Sequence, residues 1–195
     1  MHLCETRYEE IKEAVAGLFR YCGVRSFPIV PEDIATTLGY EVIMYSQLDP
    51  ASRMQVQAVY GDAFKFDLVN GSRGTVHRIY VNDSRPQGRQ RFSLLHEIGH
   101  IVLGHRQPSD VAEAEADFFA KFAIAPPSLV EIAHPADYLE LAHLFDLSIE
   151  CGSNSWNYYR KWARAKRENP YEEVLEKLFV IDSSKGKVLR MKKGA

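Results

Sequence analysis

The sequence predicts an α+β fold: a small antiparallel sheet, one apolar central helix and a helical C-terminal appendage. Three observations lead there. Strand-like alternation fills residues 54–81, the period turns helical from about Gln90, and the apolar helix that follows carries three ionisable groups, in "RFSLLHEIGHIVLGH" at 91–105. A length of 195 residues suits one core, or one domain with a smaller appendage. The apolar share of 46% and charged share of 26% are ordinary for a globular chain. A net charge of −2 gives no global drive toward nucleic acid or a membrane surface. The start, "MHLCETRYEEIKE", lacks the apolar stretch of a signal peptide, and no run reaches the roughly 18 apolar residues of a membrane span. Cys4, Cys22 and Cys151 are odd in number and far apart, with no C-x-x-C pair. The expectation is a soluble cytoplasmic protein with reduced thiols.

From the N-terminus, Thr6 to Tyr21 places Ile11, Val15, Leu18 and Phe19 at helical spacing, with Gly23 as a stop. A short helix opens at Pro31, ends at Gly39 and leads into a strand at Tyr40 to Tyr45. "MQVQAVY", "AFKFDLV" and "TVHRIYV" then read as three strands of an antiparallel meander, separated by Gly61-Asp62 and "NGSRG". The central helix follows, with Ser84 as cap, Pro86 in its first turn and Gly104 as terminator. "PSDVAEAEADFFAKFAIAPP" is a further helix, capped by Ser109 or Asp110 and stopped by Pro126-Pro127. Two helices joined through Asp146 to Ser148 come next, then a short helix and a hairpin across "SSKGK". The domain reading is a main domain over 1–130, a helix-turn-helix-like appendage over 131–170 and a tail over 171–195.

The central helix carries the chemistry. His96 and His100 are four apart and project from one helical face, where two imidazoles can hold one metal ion. Glu97 lies next round the same side, placed to take a proton from water near the metal without binding the ion. This H-E-x-x-H pattern arises by chance in a chain of this composition with a probability of about 2%, so coincidence is a poor explanation. The helix is apolar almost all round, and three ionisable groups there need partners, which a metal supplies. Gly99 in its interior permits close approach by another element.

A third ligand is needed. His105 follows His100 at five residues and Gly104 at four, so both miss the extended H-E-x-x-H-x-x-G-x-x-H register by one. His105 is therefore expected near the site and not on the metal. On the next helix, Glu113 and Asp117 share a face. Glu113 is the favoured ligand, and Asp117 is placed to hydrogen-bond a ligating histidine. Glu115, turned about 160° from Glu113, is the alternative ligand. Asp110 with Glu113 also fits a plain capping arrangement. Three protein ligands leave a fourth position open, as catalytic zinc requires.

Together, "HRIYVND…RQRFSLLHEIGHIVLGH" and "EAEADFFAKFAIAPPSLV" resemble the ImmA/IrrE family of zinc metallopeptidases. Asn82 after a strand, Arg91-Phe92 before the first histidine, Glu113 to Ala120 and Pro126 carry the likeness, which spans roughly 28–130 and more weakly the helices to Trp162. It implies a zincin-like domain and a zinc endopeptidase that inactivates a helix-turn-helix transcriptional repressor by a single cut. Zinc would sit on His96, His100 and Glu113, with Glu97 as general base and Asp117 behind a ligand. The chain departs from the commoner family pattern at "FAIAPP" and in "SIECGSNSWNYYRKW", both away from the metal residues. The rival reading is a non-cleaving anti-repressor whose zinc is structural.

His77, His134 and His143 read as surface or packed residues. The basic, aromatic stretch over 156–167 has a DNA-contact reading. A solvated face with Trp156, Tyr159 and Trp162 packed inward is the stronger one, and docking of the repressor is its preferred functional role. Direct nucleic-acid binding is not expected, and no organic cofactor is. An exposed strand edge beside the metal offers an extended substrate segment a place to pair.

Overall fold

The computed structural model describes residues 3–69, 75–165, 169–183 and 186–192. Helix α1 (Glu5–Cys22) buries Ile11, Val15, Leu18 and Phe19, and Gly23 ends it at φ 66. Helix α2 (Pro31–Thr37) starts on Pro31, and Gly39 at φ 84 turns the chain into strand β1 (Tyr40–Met44). These boundaries follow the proline and glycine signals closely.

The next segment corrects the strand reading. "MQVQAVY" lies in helix α3 (Pro50–Val59), and Tyr60 caps its end. The Asp49 carboxylate accepts hydrogen bonds from the backbone N–H groups of Ala51 and Ser52, each at 3.1 Å, and Pro50 fills the first helical position. That cap outweighs the alternation of glutamine and valine. No residue of α3 is buried, so packing does not overrule the local preference.

The sheet is mixed, not antiparallel throughout. Strands β2 (Ala63–Val69) and β3 (Thr75–Val81) form the expected antiparallel pair, but β1 runs parallel to β3, giving the order β1-β3-β2. A parallel neighbour needs a crossover, and α3 together with β2 provides it. The "NGSRG" turn signal falls on 70–74, outside the described residues. At the end of β3, Asn82 is buried and its side chain donates to the Gly61 carbonyl at 2.8 Å. Its Oδ1 accepts from the backbone N–H of Ser84 at 3.1 Å. Ser84 therefore serves this turn and does not cap the next helix, whose N-cap position is Pro86.

Helix α4 (Gln87–Val102) crosses the sheet with Leu94, Leu95 and Ile98 buried, and Gly104 at φ 71 reverses the chain behind it. Helix α5 (Asp110–Ile124) is capped by the Ser109 side chain, which accepts from Ala112 N–H at 3.1 Å. Pro126-Pro127 stops α5 and also opens α6 (Pro127–Ala133), a helix absent from the sequence reading. Helices α7 (Tyr138–Phe145) and α8 (Ile149–Ala165) meet through Asp146, at φ 52. Helix α9 (Pro170–Phe179) leads to the hairpin of β4 (Val180–Ser183) and β5 (Gly186–Leu189). Residues 184–185 of "SSKGK" and 166–167 of the basic stretch lie outside the described residues. A single buried cluster runs from Ile11 on α1 to Leu189 on β5. Phe27 joins its ends, with ring centroids 4.8 Å from both Phe145 and Phe179.

Gly152 on α8 is a packing requirement. A Cβ there would lie 2.7 Å from Ala142 Cβ and 2.8 Å from the Tyr138 carbonyl. Gly152→Ala gains about 1 kcal/mol of helix propensity but costs about 1–3 kcal/mol in overpacking against backbone that cannot yield. Net destabilisation is expected, read as a lower urea midpoint. Gly17 on α1 has nothing within 4 Å of such a Cβ, so Gly17→Ala should raise the midpoint. The reverse ranking would contradict the α7–α8 packing.

Candidate metal centre

The site is built where α4 and α5 pack together. Gly99 faces Phe119, and a Cβ at Gly99 would lie 3.1 Å from that ring, so the missing side chain sets the approach of the two helices. His96 and His100 lie on the face of α4 turned toward α5, and Glu113 lies on the first turn of α5. His96 Nε2 is 3.0 Å from His100 Nε2 and 3.2 Å from Glu113 Oε2, while His100 Nε2 is 3.5 Å from Glu113 Oε1. Among the described residues these three form a group able to hold a metal ion. Ligand bonds of about 2.0–2.1 Å in a tetrahedron put donor atoms about 3.3 Å apart, and the contacts here, which reach the two imidazoles from different Glu113 oxygens, run from 3.0 to 3.5 Å. The histidine side chains are 17% and 16% exposed but Glu113 is 59% exposed, so the group opens to solvent on the Glu113 side.

Each imidazole is held from behind. His96 Nδ1 lies 3.4 Å from Asp117 Oδ1, which places that aspartate behind the ring, and Lys121 Nζ donates to the other Asp117 oxygen at 3.0 Å. His100 Nδ1 lies 2.9 Å from His105 Nδ1, so His105 stands near the site, on the side of the ring away from the other converging donors. Glu115, the alternative ligand, points elsewhere: it accepts from Arg7 Nε at 2.8 Å and Arg7 Nη2 at 2.6 Å. Glu97 sits beside the group with Lys65 of β2 against it.

The charges follow from this packing. Burial raises the Glu97 carboxyl above its ordinary range, against the pull of His96. His100 is driven down to about 4, first by burial and then by the neighbouring His96. Burial alone would lower His96 too, but its Asp117 hydrogen bond and the Glu97 and Glu113 carboxylates outweigh it and leave the ring above its ordinary value. The His96 contact, aided by Lys121, holds Asp117 at about 2. The site thus combines a neutral imidazole, a proton-retaining imidazole and a carboxyl with raised basicity.

Other candidates lie outside the group. His77 pairs with Asp67 at 2.9 Å on the sheet, His134 ends α6 at φ 48, and His143 is in the last turn of α7. The half-buried aromatics of α8 face inward: Tyr159 donates to Glu131 on α6, and Trp162 Nε1 donates to Glu172 on α9 at 2.8 Å. Sequence reasoning missed Arg7, which lies 108 residues from its partner Glu115 and leaves no local signal.

A helix carrying H-E-x-x-H, joined by a glutamate from the next helix over a small sheet, defines a metallopeptidase type of site. Residues 51–151, just over half the chain, match the model of a peptidase family described as the IrrE N-terminal-like domain. The chain belongs to that family, the ImmA/IrrE proteins, and its α+β fold is consistent with a zincin-like domain. No curated protein gives a significant match. Among the described residues, no helix is long and apolar enough to cross a membrane.

Two outcomes test the centre. Asp117→Asn should leave the fold intact and weaken metal binding about 10–100-fold, by competition with a chromophoric chelator. Because ligand nitrogens must be deprotonated, affinity in the wild type should begin to fall as pH drops past the raised pKa of His96, above 6.5, by about tenfold per pH unit. An affinity that stays level down to pH 5 would contradict His96 as a ligand.

Proposed function

We propose that this chain is a zinc endopeptidase that cleaves and so inactivates a helix-turn-helix transcriptional repressor. The observation that carries the reading is the convergence of His96, His100 and Glu113 with a half-buried Glu97 alongside and an open side toward solvent. Two imidazoles and a carboxylate suit zinc. When bound, the ion supplies Lewis acidity toward a peptide carbonyl and toward water. Glu97 takes a proton from the attacking water and returns it to the amide nitrogen as the C–N bond breaks, and its raised basicity favours the first transfer. Asp117 keeps the His96 imidazole oriented while this happens.

Strand β2 supports a placement for the substrate. It is an edge of the sheet, it lies against Glu97 through Lys65, and its outer side pairs with no strand among the described residues. An extended segment of the repressor adds to that edge, its backbone hydrogen bonds setting the scissile carbonyl beside Glu97.

The test is intact-mass analysis of the repressor encoded nearest this gene, after incubation with wild-type protein and with Glu97→Gln. Two fragments that vanish with chelator, and a rate at least about 10²-fold lower with Glu97→Gln at unchanged metal content, are expected. An uncut repressor that co-purifies with both proteins would replace this reading with the non-cleaving anti-repressor.

A further inference from the structure

His105 is neither one of the three converging donors nor a surface residue. Its side chain is 12% exposed, and both ring nitrogens are engaged: Nδ1 at 2.9 Å from His100 Nδ1, and Nε2 at 2.9 Å from Glu115 Oε2. Glu115 is 9% exposed on its side chain and receives two hydrogen bonds from the Arg7 guanidinium of α1, the fork geometry that fixes a carboxylate in place. The chain of contacts therefore runs from a ligand on α4, through the turn made by Gly104, to α5 and on to α1.

Once a metal ion occupies the donor group, one arrangement of protons satisfies the contacts behind His100. With Nε2 of His100 turned to the metal, its Nδ1 must carry hydrogen and donate. His105 Nδ1 must then accept, which puts the hydrogen of His105 on Nε2, pointing at Glu115. Glu115 accepts from that side as well as from Arg7 and must be an anion. Each donor meets an acceptor, and each link fixes the tautomer of the one before it.

We infer that Arg7, Glu115 and His105 form a relay that sets the tautomer and angle of His100, making His105 a positioning residue of the metal centre. His96 is oriented by a carboxylate directly, whereas His100 is oriented by a carboxylate acting through an interposed imidazole. The relay ties the metal centre to α1, which lies outside the matched stretch of 51–151. The inference rests on His96, His100 and Glu113 being the ligands.

Chelator competition separates the two claims. His105→Phe keeps the ring but removes both polar contacts, and should weaken metal binding about 10–100-fold with an unchanged melting point for the metal-free protein. His105→Asn restores an acceptor toward His100 and should recover most of that loss. In wild-type protein labelled with nitrogen-15 at histidine and loaded with zinc, NMR should show His105 protonated at Nε2 and His100 at Nδ1. Wild-type affinity in His105→Phe, with metal still lost in His96→Ala, overturns the relay alone. A His105 protonated at Nδ1 also overturns it. Metal retained by His96→Ala overturns the ligand assignment and the relay with it.

Discussion

The approach of α5 to α4 at Gly99 is the constraint on which the rest depends. A helix interior is a costly place for glycine, by about 1 kcal/mol relative to alanine. Here the cost is met by the Phe119 ring, which lies where a side chain would be. Close packing brings the first turn of α5 level with the His96–His100 face, so that Glu113 reaches both imidazoles and Asp117 reaches the back of one.

The second organising fact is that the polar groups behind the two imidazoles are paired in layers, each contact supporting the next. Unpaired charge in such a position is expensive, and the chain answers with a layered set of contacts. Glu113 completes the donor group, Asp117 and His105 hold the rings, and Lys121 and Glu115 hold those in turn, with Arg7 outermost. The same reasoning accounts for Arg91. It is buried on α4, donates to the Asp146 carbonyl and pairs with the Asp146 carboxylate at 2.5 Å, fastening the helix to the α7–α8 turn.

Much of this was legible in the sequence because it is local. The i, i+4 spacing of His96 with His100 and of Glu113 with Asp117 states which side chains share a face, and Gly99 announces a close neighbour. Helix limits at Gly23, Gly39, Gly104 and Ser109 follow from left-handed backbone and capping chemistry. Besides the Ser84 cap and the unexpected α6, two misreadings have distinct physical origins. In "MQVQAVY" a period-two pattern competed with the Asp49–Pro50 cap, and in a segment without buried residues the cap decided. The parallel β1–β3 pairing and the reach of Arg7 to Glu115 are long-range, and no local period encodes either. Nor does any period say whether His105 turns toward the metal or away from it. That follows from the left-handed turn at Gly104, which sets His105 Nδ1 2.9 Å from His100 Nδ1 and leaves His105 outside the three converging donors.

The most direct test of the account is metal analysis of the purified protein combined with X-ray absorption at the metal edge. One metal ion per chain is expected, with two imidazole nitrogens and a carboxylate oxygen at about 2.0–2.2 Å and no sulfur ligand. A protein that binds no stoichiometric metal, or one whose metal sits on cysteine sulfur, would contradict it.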